Sequence, residues 1–316
     1  MTAVVVLGMY RSGTSALTRA LGLLGSSLGP DAALGKFWES RATRGPSARI
    51  LAAFGGGWDS PPVLPDNWVD AAAVRAVRPA AESALAGFGP GPAFTWKDPR
   101  TCLTLPFWLD LLDEPPVIVF SHRHPVEVAA SQAKRLDLGT AHSFALWERY
   151  NADALNFAQG LRTVCIEYAR LLAEPVPTMR ALVDTLDGWG VKLPGAPETT
   201  DMELSPSRRH HHTDDDAGFD HPLATESQRE LFELMREIDG PHDALTLPRP
   251  ISAPDPVSVE LLDLARRAYR AEVDARQTKA ELERRNESGR RLLRAGYDLA
   301  KVRARDLTHR RSTPPQ

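Results

Sequence analysis

The sequence predicts an α/β fold: a three-layer domain with a central parallel sheet, followed by a C-terminal helical extension. Three observations carry this. Short, largely apolar runs recur at Ala3–Leu7, Ala93–Trp96, Val117–Phe120 and Thr163–Ile166. Stretches of helical periodicity separate them, and strands alternating with helices build parallel sheets covered on both faces. Beyond Pro256 the chain changes character, becoming proline-free to Arg311 and rich in Ala, Leu, Glu and Arg.

The elements follow in chain order. Ala3–Leu7 reads as a buried strand, and Gly8-Met9-Tyr10-Arg11-Ser12-Gly13-Thr14-Ser15 as a glycine-rich turn. Leu17, Leu21, Leu24 and Leu28, at helical spacing, predict an amphipathic helix running through Leu28. Pro61, Pro62 and Pro65 mark a loop, as do Pro90 and Pro92. Helical patterns lie near 69–86, 101–112, 125–136 and 142–160, with Pro125 suited to a first helical turn. Another helix starts near Arg170. Residues 194–225, rich in Pro, Asp and His, predict a long surface loop.

Four prolines in the nine residues 248–256 read as a linker. The expected organisation is therefore a domain at 1–247, a linker at 248–256 and a basic helix at 257–311. That helix carries fifteen Lys/Arg against nine Asp/Glu. Leu261, Leu264, Ala268, Ala271 and Ala275 form a narrow seam along it, which makes it a candidate homodimer element. A solvated helix is the plainer reading. Its basic face also suits an acidic glycan or phospholipid surface.

Composition narrows the function classes. Hydrophobic residues make up 42% and charged residues 25%, so a packed core is expected, not disorder. The formal net charge of -3 gives no global attraction to nucleic acid. Cys102 and Cys165 are too few for a disulfide framework or a cysteine zinc site and read as buried thiols. No apolar run reaches about 18 residues, so no membrane span is expected. The N-terminal apolar run is too short for a secretory signal, and a cytoplasmic protein is the expectation.

Two anion sites stand out. Gly8 and Gly13 have the G-x-x-x-x-G spacing of a phosphate-binding loop between strand and helix. Thr14 and Ser15 follow where Lys and Ser/Thr belong, and Arg11 sits inside the loop instead. Backbone N–H groups and a helix N-terminus still hold an anion without that lysine. The second site is Arg123, just past the third strand, with Ser131 about two turns into the next helix. A guanidinium and a hydroxyl suit a phosphate monoester, although Arg123 alone could equally pair with a carboxylate.

Together these motifs resemble the sulfotransferases that use 3′-phosphoadenosine 5′-phosphosulfate (PAPS). The 5′-phosphosulfate loop of that family is similar to Arg11-Ser12-Gly13-Thr14-Ser15. Its 3′-phosphate motif, an arginine with a proline two residues later and a serine eight later, is matched by Arg123, Pro125 and Ser131. Lys97-Asp98-Pro99 resembles a segment of some branches, and Ile166–Leu172 a further one, with Glu167-Tyr168 in altered order. The likeness spans about residues 1–190, thins to 247 and is absent beyond 250.

The resemblance implies a P-loop-like fold and PAPS as co-substrate, without a metal. It implies sulfuryl transfer to a hydroxyl or amine of a small molecule or glycan, a carbohydrate being weakly favoured. Arg11, Ser12, Gly13, Thr14 and Ser15 would bind the 5′-phosphosulfate, and Arg123 and Ser131 the 3′-phosphate. Lys97 would stabilise the leaving oxygen or donate a proton to it. Glu39, 28 residues after Arg11, would be the general base, chosen over the histidines.

His122 and His124 flank Arg123 and read equally as cleft wall or structure. Arg208 and Arg209 are candidates for a loop closing over the nucleotide. The His210–His212 run lacks the ligand spacing of a metal site. The seven tryptophans read as core or cleft wall. Two rival functions stay open: a magnesium-dependent P-loop kinase or nucleotidase, and a non-catalytic module assembling a partner through its C-terminal helix.

Overall fold

The computed structural model describes residues 2–29, 38–89, 91, 93–198 and 218–310. Residues 36 and 37, Pro90, Pro92, Arg208, Arg209 and the His210–His212 run lie outside the described residues.

Four strands of the sheet are the four apolar runs: β1 (Thr2–Leu7), β2 (Ala93–Lys97), β3 (Val117–His122) and β4 (Thr163–Glu167). They pair in parallel in the order β2-β1-β3-β4. A short β5 (Gly240–His242) adds to β4 antiparallel. The alternation of a strand sends successive side chains to opposite faces. Val5, Leu7, Trp96, Ile118 and Phe120 therefore join one core, and Val4, Val6, Val117, Val119 and Val164 the other. Val4 to Leu7 are wholly buried, the signature of a strand covered on both faces.

Helices α1 (Thr14–Leu23), α8 (Tyr168–Ala173) and α9 (Pro175–Gly188) cover one face. The other is covered by α2 (Arg41–Ala53), α3 (Ala72–Arg75), α4 (Arg78–Ala86), α5 (Thr101–Leu109), α6 (Pro125–Leu136), α7 (Thr140–Ala158) and α10 (Glu226–Glu237). The three-layer α/β expectation holds, and so does the C-terminal helix, α11 (Pro256–Arg310).

Several details differ from the expectation. α1 stops at Leu23, because Gly25 takes φ 97° and turns the chain, so Leu28 lies past the helix. The 69–86 pattern breaks into a 3-10 turn at Trp68–Asp70 followed by α3 and α4. α2 and α10 were not anticipated. α10 begins with a capping box in which Thr225 and Gln228 satisfy each other's backbone N–H.

The chain divides into two compact units, residues 1–266 and 267–316. Within the first, α11 is rooted by Ser258, which accepts from Gln228 at 2.9 Å, while Glu148 accepts from Ser227 and Gln228.

The strand order matters for function. β1 leads to β2 on one side, and the chain then crosses back to β3 on the other. Such a reversal opens a crevice at the carboxyl ends of the strands, where α/β proteins bind ligands. The turn after β1 and the Arg123 segment after β3 both end there.

Candidate active site

The turn Gly8–Gly13 leaves β1 in a conformation that only its glycines make available. Gly8 has φ 144°, and a Cβ there would lie 2.3 Å from the Ser121 carbonyl oxygen. Gly13 has φ 88°, and a Cβ there would lie 2.0 Å from the Tyr168 ring. Arg11 itself sits at φ 75°, unusual for a side-chain-bearing residue and a form of strain that gathers at functional sites. The Gly8 N–H donates to Cys102 Sγ at 3.2 Å, and Ser121 Oγ donates to the Ser12 carbonyl at 2.7 Å. Burial pushes the Cys102 thiol up to about 12, so Cys102 supports the turn as a neutral thiol.

Gly13 caps α1 with no side-chain acceptor, and the first turn of that helix carries no acidic residue. Its N–H groups and the positive end of its dipole thus lie at the carboxyl end of β1 with no acidic residue in the first turn. Thr14 is buried, and the buried Ser12 hydroxyl has no protein partner.

The two anion motifs meet. Arg11 Nε donates to Ser131 Oγ at 2.9 Å, and Arg123 Nη1 donates to the Arg11 carbonyl at 3.1 Å. Arg123 is 7% exposed and lies 4.9 Å from the Tyr168 ring centroid. Its Nε donates to Glu127 Oε2 at 2.7 Å, whereas buried Nη2 has no protein partner. The carboxylate pairing of Arg123 is thus real, yet it leaves Nη2 uncommitted. Burial, then the charges of Arg135 and Arg123, pull the Arg11 guanidinium below its usual range. Clustered cations of this kind are relieved by an anion.

On the other side of β1, Lys97 Nζ donates to Glu39 Oε1 at 2.7 Å. Lys97 is buried and Glu39 partly so, their side chains 3% and 10% exposed. Burial pulls the Lys97 ammonium below the ordinary lysine range, and Glu39 opposes that shift without cancelling it. Next in the chain, fully buried Asp98 accepts from Arg100 at 2.8 Å, and Arg100 stacks on Tyr10. Tyr10 packs against Trp58 with ring centroids 4.9 Å apart.

His124 accepts from the Val126 N–H and caps α6. His122 is buried 3.5 Å from Asp239. Both fit structural roles. Tyr10, Asp98 and Tyr168 stand within the motif segments read from the sequence but carry no role in that reading. Arg100 and Glu127 were not singled out, although Glu127 lies four residues after Arg123 on a predicted helix. Among the described residues no cluster of His, Cys, Asp and Glu is suited to a metal, and no helix is long and apolar enough to cross a membrane.

The model of the Sulfotransferase family matches residues 3–189, more than half of the chain. No curated protein matches. Among solved structures, the sulfotransferase domain from the olefin synthase of Synechococcus PCC 7002 aligns at 18% identity, with a TM-score of 0.37. That alignment covers 84% of this chain and 94% of that one. With the family match running from β1 through α9, and so across the turn, Lys97, Arg123 and Ser131, the chain belongs to the sulfotransferase family.

Proposed function

We propose that the protein transfers a sulfuryl group from PAPS to a hydroxyl of a carbohydrate or glycosylated small molecule. The observation that carries this reading is the meeting of Arg11, Ser131 and Arg123 in one crevice. A single ligand with anionic groups at both ends of an adenosine fits that pairing. The turn and the α1 N-terminus take the 5′-phosphosulfate, with Arg11, Ser12, Gly13, Thr14 and Ser15. Arg123 and Ser131 take the 3′-phosphate.

The chemistry falls to Lys97 and Glu39, whose charged ends converge. Glu39 takes the acceptor's proton as the acceptor oxygen attacks sulfur. The bond from sulfur to the bridging oxygen of the 5′-phosphate breaks, and Lys97 stabilises the charge growing on that oxygen. The sulfuryl group carries less charge than a phosphoryl group, so fixed cations suffice and the proposal needs no metal. Tyr10 and Trp58, both half-buried and with Tyr10 within electrostatic reach of Glu39, support a sugar-bearing acceptor.

The test is turnover with radiolabelled PAPS over a panel of glycosides, in chelator, alongside calorimetric titration with adenosine 3′,5′-bisphosphate. Metal-free transfer and binding are expected. A requirement for ATP and magnesium would place the chain with the phosphotransferases instead. Absence of all nucleotide binding would favour the non-catalytic module.

A further inference from the structure

The helix α11 has two unlike sides. In its first turns Ser258 and Leu262 are buried, the former held by Gln228. Val257 and Leu264 lie roughly 200° around the helix from Leu262, at about 100° per residue. They are 62% and 58% exposed. Heptad spacing continues that outer line through Ala268, Ala271, Ala275 and Thr278 to Leu282, which is 55% exposed. The next two positions of the line hold Arg285 and Gly289, where the apolar pattern ends. An apolar line bounded in this way, with bulky residues exposed at both ends, wants a partner.

The flanking charges say which partner. With Ala268, Ala275 and Leu282 as one seam position and Leu264, Ala271 and Thr278 as the other, the flanks hold Glu260, Arg267, Asp274 and Glu281 on one side. On the other side stand Ala265, Glu272 and Lys279. In a parallel pair of identical helices, each residue of the first set meets the residue five places later in the second chain. Arg267 then meets Glu272 and Asp274 meets Lys279, opposite charges both times, with no like charges opposed. An antiparallel pair overlapped on the same seam sets Arg267 against Asp274 and Glu272 against Lys279, but just before the seam it sets Glu260 against Glu281, a like-charge clash that the parallel pair lacks.

We propose that two copies of this chain associate through a parallel coiled coil over residues 264–282 of α11. The inference is independent of the sulfuryl-transfer reading, and none of these residues belongs to the candidate active site. The small Ala268, Ala271 and Ala275 bring the two backbones close together, while Leu264 and Leu282 close the ends.

Sedimentation of the full chain tests the association, and charge swaps test its pairing. The full chain is expected to be a dimer. Arg267→Glu alone and Glu272→Arg alone each set like charges in register and weaken self-association at least several-fold. Mixed together, the two variants form a heterodimer tighter than either homodimer. Ala271→Cys crosslinks to itself on mild oxidation, since a seam residue faces its own copy only in the parallel arrangement. A monomeric full chain, a mixture no tighter than the single variants, or an Ala271→Cys chain that stays uncrosslinked would each overturn the proposal.

Discussion

On the β2 side of β1 the crevice presents Lys97 against Glu39. On the β3 side it presents Arg123 and Ser131 gathered around the Arg11 backbone and side chain. The first side is a lone ammonium–carboxylate pair, with its lysine pulled toward neutrality by burial. The second is a lattice: Arg123 is fixed by Glu127, the Arg11 carbonyl and the Tyr168 ring at once. In the proposed function the first side carries the chemistry and the second grips the nucleotide. Substitutions on the β2 side should therefore lower turnover, and those on the β3 side should weaken the nucleotide.

The largest effect is expected at the ion pair. Glu39→Gln and Lys97→Met should each reduce kcat by about 10²–10⁴-fold, the usual range for positioned proton-transfer groups. Nucleotide affinity, measured by calorimetry, should change little. Normal turnover in Glu39→Gln would remove its role as base. The pH profile sharpens the point. In the proposed mechanism Lys97 acts while protonated, and burial lowers the pH at which it loses its proton. Activity should thus decline on the alkaline side before the ordinary lysine range. Lys97→Arg, whose guanidinium does not titrate there, should erase that limb from whatever activity survives.

Gly13→Ala comes next and strikes both sides. The substitution forces an alanine into φ 88° and drives its Cβ into Tyr168. Conformational strain and overpacking together should cost about 2–4 kcal/mol of stability. Urea denaturation should show a lower midpoint with unchanged slope. An unchanged midpoint would mean the turn is looser than its geometry.

These effects bear on what the sequence could disclose. The four parallel strands were legible because burial on both faces makes each a largely apolar run. The turn was legible because Gly8 and Gly13 stand where the backbone needs positive φ. The β5 strand was not, since Gly240-Pro241-His242 shows no apolar alternation. The α2 helix was hidden by Gly45 and Pro46 inside it. α10 could have been found from Thr225 and Gln228, the ends of its capping box. At the candidate site, Arg11, Lys97 and Arg123 stand in motifs that the sequence displays. The contacts that fix them were not legible, because Tyr168 on Arg123, Glu39 on Lys97 and Cys102 under Gly8 join residues 45 to 94 positions apart in the chain. Such pairings are set by the strand order, not by local pattern.

The smallest effect is expected on the β3 side at Tyr168. Tyr168→Leu removes the ring face beneath Arg123 while keeping bulk near Gly13. A loss of about 0.5–2 kcal/mol is expected, read as a several-fold weaker affinity for adenosine 3′,5′-bisphosphate with kcat nearly intact. A loss of kcat instead would blur the division between the two sides.

The measurement that reaches the central claim most directly is a two-by-two titration. Adenosine 3′,5′-bisphosphate and adenosine 5′-monophosphate are each titrated into the unaltered protein and into Arg123→Ala. Dividing one affinity by the other within each protein cancels any general damage from leaving Glu127 unpaired. The account predicts that the unaltered protein prefers the bisphosphate by about 30-fold or more, the scale of a charged contact worth 2 kcal/mol or above. It predicts that Arg123→Ala loses most of that preference. A preference for the bisphosphate that survives unchanged in Arg123→Ala would contradict it.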